Sequence, residues 1–324
     1  MLKRSVQFFR ELVLTTWRYV RLVFRAYSED DTLDLGAALA FYTIFSIMPM
    51  LVVVIAVAGL LAGPAAAEGQ LFVRLSGFVG EDTAKALQGL LGNAYQSGQG
   101  IVATVVGLAT LVVGATGVFN ALKNSINRIW EIKPKPRNSI LGLIIARLLS
   151  FSFVLGMGFL MVVSFLLSAL VNAFAAQIVA FLPGATGFLL VGISNVVSFA
   201  MTVAVFAALF KYLPDARVTW RDVLPGAVLT TLLFALGKYA LTFYFQLSNP
   251  ASAFGAAASL ISLLLWVYYS SQIFFLGAEF IDVWAREHGR PIQPAAEAVH
   301  VVKQEVVLEG GRVVATRSKH DPLR

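Results

Sequence analysis

GAALAFYTIFSIMPMLVVVIAVAGLLA, residues 36–62, runs without a formal charge. A helix of that length, at about 1.5 Å per residue, crosses a hydrocarbon layer about 30 Å thick with room for tilt. Its two halves differ. Tyr42, Thr43, Ser46 and Pro49 stand among the apolar residues of the first half, whereas 51–61 is almost featureless. The polar half is expected to face protein or water and the apolar half lipid or packed helices.

The whole chain has the same character. Of its 324 residues 58% are hydrophobic and only 13% charged, with a mean hydropathy of +0.78, whereas soluble domains carry about 25% charged residues. An integral membrane protein follows. Cysteine is absent, which excludes disulfides, thiolate catalysis and Cys metal sites. The net charge of +7 lies in the gaps between apolar runs. Topology explains it better than nucleic-acid binding, which is not expected. The first 35 residues are too charged to hold a secretory h-region.

Residues 1–32 read as an amphipathic interfacial helix with an acidic linker. Leu2, Val6, Phe9, Val13, Trp17, Val20 and Phe24 recur three or four apart, while Lys3, Arg10, Arg18, Arg21 and Arg25 fall largely on the other side. Two readings fit: a helix in the headgroup plane of an anionic leaflet, or a solvated helix packed under the bundle. Ser28 to Thr32 offer N-cap candidates for the next helix.

Residues 33–284 are expected to form one transmembrane domain of six helices. The spans fall at 36–62, 101–119, 140–171, 187–213, 223–245 and 253–278. A small-residue stripe through Ala103, Gly107, Thr110, Gly114 and Gly117 lets the second approach a neighbour closely. Lys133-Pro134-Lys135-Pro136 stops the helix that continues it. Residues 285–324 are expected to be a mobile polar tail with a weak hairpin around Gly310-Gly311. Lys and Arg fix the orientation. The N-terminal segment, the loops 121–139 and 211–222 and the tail carry six, five, three and seven, and the opposite loops two, zero and zero. Six spans with both termini in the cytoplasm fit that bias.

Few residues can carry chemistry at depth. Arg147 lies about 10 Å and Lys238 about 22 Å from the cytoplasmic ends of their helices. A lipid-facing cation at depth costs about 2.5–3.5 kcal/mol, so each needs a partner, a cavity or an interface. Asn120, Asn124 and Asn127 share a helical face that suits either a polar mouth or interhelical glue. Tyr42 and Ser46 extend the possible route. Glu279 and Asp282, at the expected end of the sixth span, read as solvated or as partners of Arg147, Lys211 or Arg286. The three histidines all fall in the tail. There is no H-E-x-x-H, P-loop or dinucleotide fingerprint and no metal-ligand spacing, so neither an enzyme nor a cofactor is expected.

Four stretches carry a resemblance: AALAFYTIFSIMPML at 37–51, NALKNSINRIWEIK at 120–133, LPDARVTWRDVLPGA at 213–227 and FGAAASLISLLLWVYYSSQIFFLGAEF at 254–280. Taken in order, they make the chain similar to the YihY/virulence factor BrkB family over residues 30–285. The resemblance implies an all-α, six-helix protein of the bacterial inner membrane, with links to serum resistance and envelope lipid export. An old ribonuclease label for that family finds no metal-ligand set here. The expectation is a transporter or flippase-like conduit for an anionic lipid or amphiphile. Its partners would be membrane lipids and possible envelope-assembly proteins. The rival is a non-transporting scaffold.

Overall fold

The computed structural model describes residues 2–44, 117–135, 186–248, 258–301, 304–309 and 312–318. Helices dominate them. In chain order these are α1 (Leu2–Glu29), α2 (Thr32–Ile44), α3 (117–129), α4 (Thr186–Tyr212), α5 (Trp220–Ser248) and α6 (Ala258–Glu287). Three contain windows long and apolar enough to cross a membrane: Asn195–Tyr212, Trp220–Leu241 and Ile261–Glu287. These match the fourth, fifth and sixth expected spans. The third, with Arg147, lies outside the described residues, as do Ser46 and most of the first two.

The helices pack as the sequence allows. On α5, Ala227, Thr231 and Phe234 follow a four-three spacing; Ala227 and Thr231 are buried, and Phe234 meets Phe206 of α4 edge-on at 5.7 Å. A neighbouring α5 face approaches α6 through small residues. A Cβ on Gly277 would collide with Thr230 Oγ1, and one on Gly226 with Ile281. Phe210 of α4 stacks on Phe274 of α6 at 4.7 Å. The far side of α5 is an exposed apolar stripe through Leu224, Val228, Leu232, Leu236, Tyr239 and Phe243, as a lipid-facing surface requires.

Three two-stranded antiparallel ribbons complete the described fold. β1 (Ile132–Pro134) pairs with β4 (Ala298–His300), β2 (Ala216–Arg217) with β3 (Gln293–Pro294), and β5 (Gln304–Glu309) with β6 (Arg312–Ser318). Two expectations change. The sixth helix does not stop at Glu279. It runs to Glu287, because Ile281, Val283 and Ala285 are buried against its neighbours. It ends in a Schellman turn, with Gly289 at φ +66 and Arg290 N–H bonded to Ala285 O at 2.9 Å. Nor is the start of the tail loose. Residues 293–300 are stitched through β2 and β1 onto the turn after α4 and the chain after α3.

Candidate functional site

Three of the four resembling stretches meet at one end of the helices: 120–133 touches 213–227 through Asn127 and Asp215, and 254–280 through Trp130 and Ala278. Chain breaks at two non-glycine residues with positive φ, Asp31 at 52° and Glu131 at 54°, shape this end. Such a conformation is uncommon outside glycine and marks a backbone held by its surroundings. At the first break, Asp30 N–H closes α1 on Ala26 O and Asp31 O opens α2 by accepting from Leu35 N–H. The break turns Thr32 inward and leaves the Asp31 carboxylate 2.8 Å from Arg128 of α3. At the second, Glu131 O accepts from Val301 N–H at 2.8 Å, joining α3 to the tail.

Glu279 lies at the centre of this belt, at 0% exposure. Of the two sequence readings, solvated or paired, burial removes the solvated one. The Thr32 hydroxyl donates to its Oε1 at 3.4 Å. One residue back, Ala278 O accepts from Trp130 Nε1 at 3.0 Å. Tyr27 of α1 donates to Gln272 of α6, and Gln272 Nε2 reaches Leu33 O at 3.4 Å. Burial pushes the Tyr27 phenol up to about 12, and the neighbouring Tyr268 and Glu279 act in the same direction. Asp282 pairs with Arg286 one turn on, one of the partners expected for it.

The asparagine row divides. Asn127 is buried and bonded twice to Asp215, donating from Nδ2 to Oδ2 at 2.9 Å and accepting the Asp215 N–H at 2.9 Å. Lys123 Nζ adds an ion pair to the same carboxylate at 2.8 Å. Asn127 thus joins α3 to the turn after α4. Asn124 is exposed and Asn120 half-buried. Asn124 and Asn127 line a cavity of about 390 Å³ with Arg128, Glu131, Lys133 and Val301.

Tyr42 is exposed near the described end of α2, edge-on to Phe41. Lys238 is exposed too, yet it extends the α5 spacing of Ala227, Thr231 and Phe234 by another four residues. Its neighbours Leu236 and Tyr239 are exposed as well. At the opposite end of α5, Trp220 meets Tyr212 edge-on at 6.1 Å and lies 5.9 Å from Lys211 Nζ. Ring and cation together make an interfacial anchor.

Sequence reasoning missed Tyr27, Thr32, Gln272 and the Asp222–Arg290 pair as members of this end. Asp222 is 1% exposed, and Arg290 Nη2 lies 2.7 Å from its Oδ1. The available signal was the acidic residue in the first turn of α5. Its partner lies 68 positions on, beyond any local pattern. No group of metal-ligating residues occurs among the described residues.

A family profile described as Virulence factor BrkB matches residues 23–300. A UPF0761 membrane protein of Alcanivorax borkumensis is 30% identical over 278 residues, covering 84% of this chain and 62% of its own length. One of Pseudoalteromonas translucida is 28% identical over 256 residues, 77% of this chain and 80% of that protein. One of Pseudoalteromonas atlantica is 28% identical over 284 residues, 84% and 89% respectively. The chain thus spans less than two thirds of its Alcanivorax relative. No solved structure matches it. The profile runs from within α1 to the end of β4 and covers most of the chain, so the chain belongs to the virulence factor BrkB family of membrane proteins.

Proposed function

We propose that this protein is a conduit, transporter or flippase-like, for an anionic lipid or amphiphile in the bacterial inner membrane, serving envelope biogenesis. Six spans cross the bilayer and both termini face the cytoplasm, as the Lys and Arg bias indicates. The polar belt then lies at the cytoplasmic end. Without a nucleotide motif, the driving force is a gradient or a partner, and the protein carries out no catalysis of its own.

The observation that carries this reading is the position of Lys238. A cation deep in a span suits an anionic head group better than acyl chains. Arg147 is the second attracting cation, and Tyr42, Ser46, Asn120 and Asn124 line the route. Asn127 and Glu279 act at its cytoplasmic end, holding the frame in which the route opens. Reconstitution into liposomes with labelled anionic phospholipid tests this. Movement above protein-free vesicles supports the conduit, and movement at the protein-free rate refutes it.

The rival is a scaffold for envelope-assembly proteins. It is favoured by the tail, which ties the turn after α4 to the chain after α3 as a rigid platform would require. Unchanged envelope assembly after deletion of residues 291–324, with transport intact, would count against it.

A further inference from the structure

α1 has two apolar faces, and among the described residues only one is packed against the rest of the protein. Val23 and Ala26, with Tyr19 and Leu22, pack on α6 against Val283, Leu276 and Phe280. The Tyr19 ring lies 5.7 Å from that of Trp284. On the opposite side Leu14, Trp17, Val20 and Phe24 are exposed by 56%, 60%, 40% and 60%. At 3.6 residues per turn these four fall within an arc of roughly 120°. Trp17, Val20 and Phe24 belong to the apolar period read from the sequence, so that period marks the exposed face; Leu14 lies at its basic edge.

We propose that this outer face of α1 docks into the anionic headgroup layer of the adjoining leaflet, the cytoplasmic one in the topology above. Three observations select that occupant. The first is position. Tyr27 meets Gln272 and Arg18 pairs with Glu287, the last residue of α6, so α1 lies along the final turns of a helix long enough to span, with its N-terminal half directed toward and past that helix's end. The second is charge: residues 2–29 hold six Lys and Arg against Glu11 and Glu29, and each basic residue near an anionic surface adds attraction. The third is composition, because a tryptophan between apolar neighbours with arginines on the flank is the pattern of an interfacial helix. A second copy fits less well. Arg21 is exposed and lies within the same arc, so a two-fold pairing through this face would bring like charges together. The docking concerns α1 alone and holds whether or not the helices conduct a lipid.

The chain has no cysteine, so single sites can be labelled in the full-length protein without a background. Spin labels at Leu14→Cys, Trp17→Cys and Phe24→Cys, with Glu11→Cys as the control, are read in nanodiscs containing phosphatidylglycerol. Collisions with oxygen exceed those with a water-soluble nickel chelate at the three stripe positions, and the order reverses at Glu11. In nanodiscs of phosphatidylcholine alone the oxygen preference of the stripe falls. A label-free check is quenching by brominated phosphatidylglycerol, read as the difference between the intact protein and Trp17→Phe; the proposal requires a loss of emission attributable to Trp17. Chelate collisions dominating at the stripe would establish a solvated helix and overturn the proposal. Protection from both reagents would establish a protein cover, a second copy included, and overturn it equally. Stripe immersion in liposomes that move no lipid would uphold this docking while refuting the conduit.

Discussion

The side chain of Asn127 holds Asp215 from both sides: its amide nitrogen donates to the carboxylate and its oxygen accepts the Asp215 backbone N–H, each at 2.9 Å. Only an amide offers donor and acceptor in this arrangement. Asn127→Ala therefore removes two hydrogen bonds and leaves a buried amide position vacant. The expected cost is about 1–3 kcal/mol, read as a lower melting temperature of the purified protein. Asn127→Asp is expected to be worse, because two carboxylates would meet. Equal stability of Asn127→Asp and the intact protein would contradict the assignment.

Gly277 is a packing position. Thr230 cannot retreat from it, because its hydroxyl is committed to Gly226 O at 2.7 Å. Gly277→Val should destabilise the α5–α6 contact by about 1–3 kcal/mol through overpacking. Thr230→Ala in the same chain should recover part of that loss, since it removes the nearest atom. Thermal unfolding of the two single variants and the double variant measures the coupling.

The Asp222–Arg290 pair anchors the tail where it leaves α6. Breaking a buried pair from one side costs about 3–5 kcal/mol, and partial exposure of Arg290, 38% for its side chain, places Arg290→Ala below that range. The expected result is faster proteolysis within 291–301, with α6 still intact. Unchanged cleavage would mean that the β2–β3 and β1–β4 pairings hold the tail without the ion pair.

Tyr27 gives a pH dependence with a definite sign. Its pKa is about 12 in the fold against 10.0 for the free side chain. Between those values the unfolded chain has lost a proton that the folded protein keeps. The contribution is thus fully present below about pH 10 and is lost as pH rises toward 12. Melting temperature should fall more steeply over that window in the intact protein than in Tyr27→Phe. Parallel slopes would contradict the burial of the phenol against Gln272.

Membrane character, helix periods and the ends of the fourth and fifth spans were legible because they depend on runs of apolar residues, which are local. The turn at Asp30–Asp31 was legible for the same reason: a cluster of capping residues marks it. The end of the sixth helix was not. Glu279 and Asp282 look like water-facing residues, and what keeps the helix going is burial by α1 and α5, which are distant in sequence. The tail misled in the same way. Its first two strands, β3 and β4, are two and three residues long and exist through pairing with residues far back in the chain, whereas the local hairpin expected there does form, as β5 with β6. The asparagine row was read as one face, but spacing alone does not reveal that Asn127 is buried against Asp215 while Asn124 stays exposed.

The most direct test of the conduit is transport by Lys238→Gln. Intact protein and variant, matched for folding by melting temperature, are reconstituted with labelled anionic phospholipid and, separately, with a labelled zwitterionic one. The account predicts faster movement of the anionic lipid by the intact protein, with that advantage lost in Lys238→Gln. Equal rates for the two proteins, with the anionic preference retained, would contradict a role for this cation in the route.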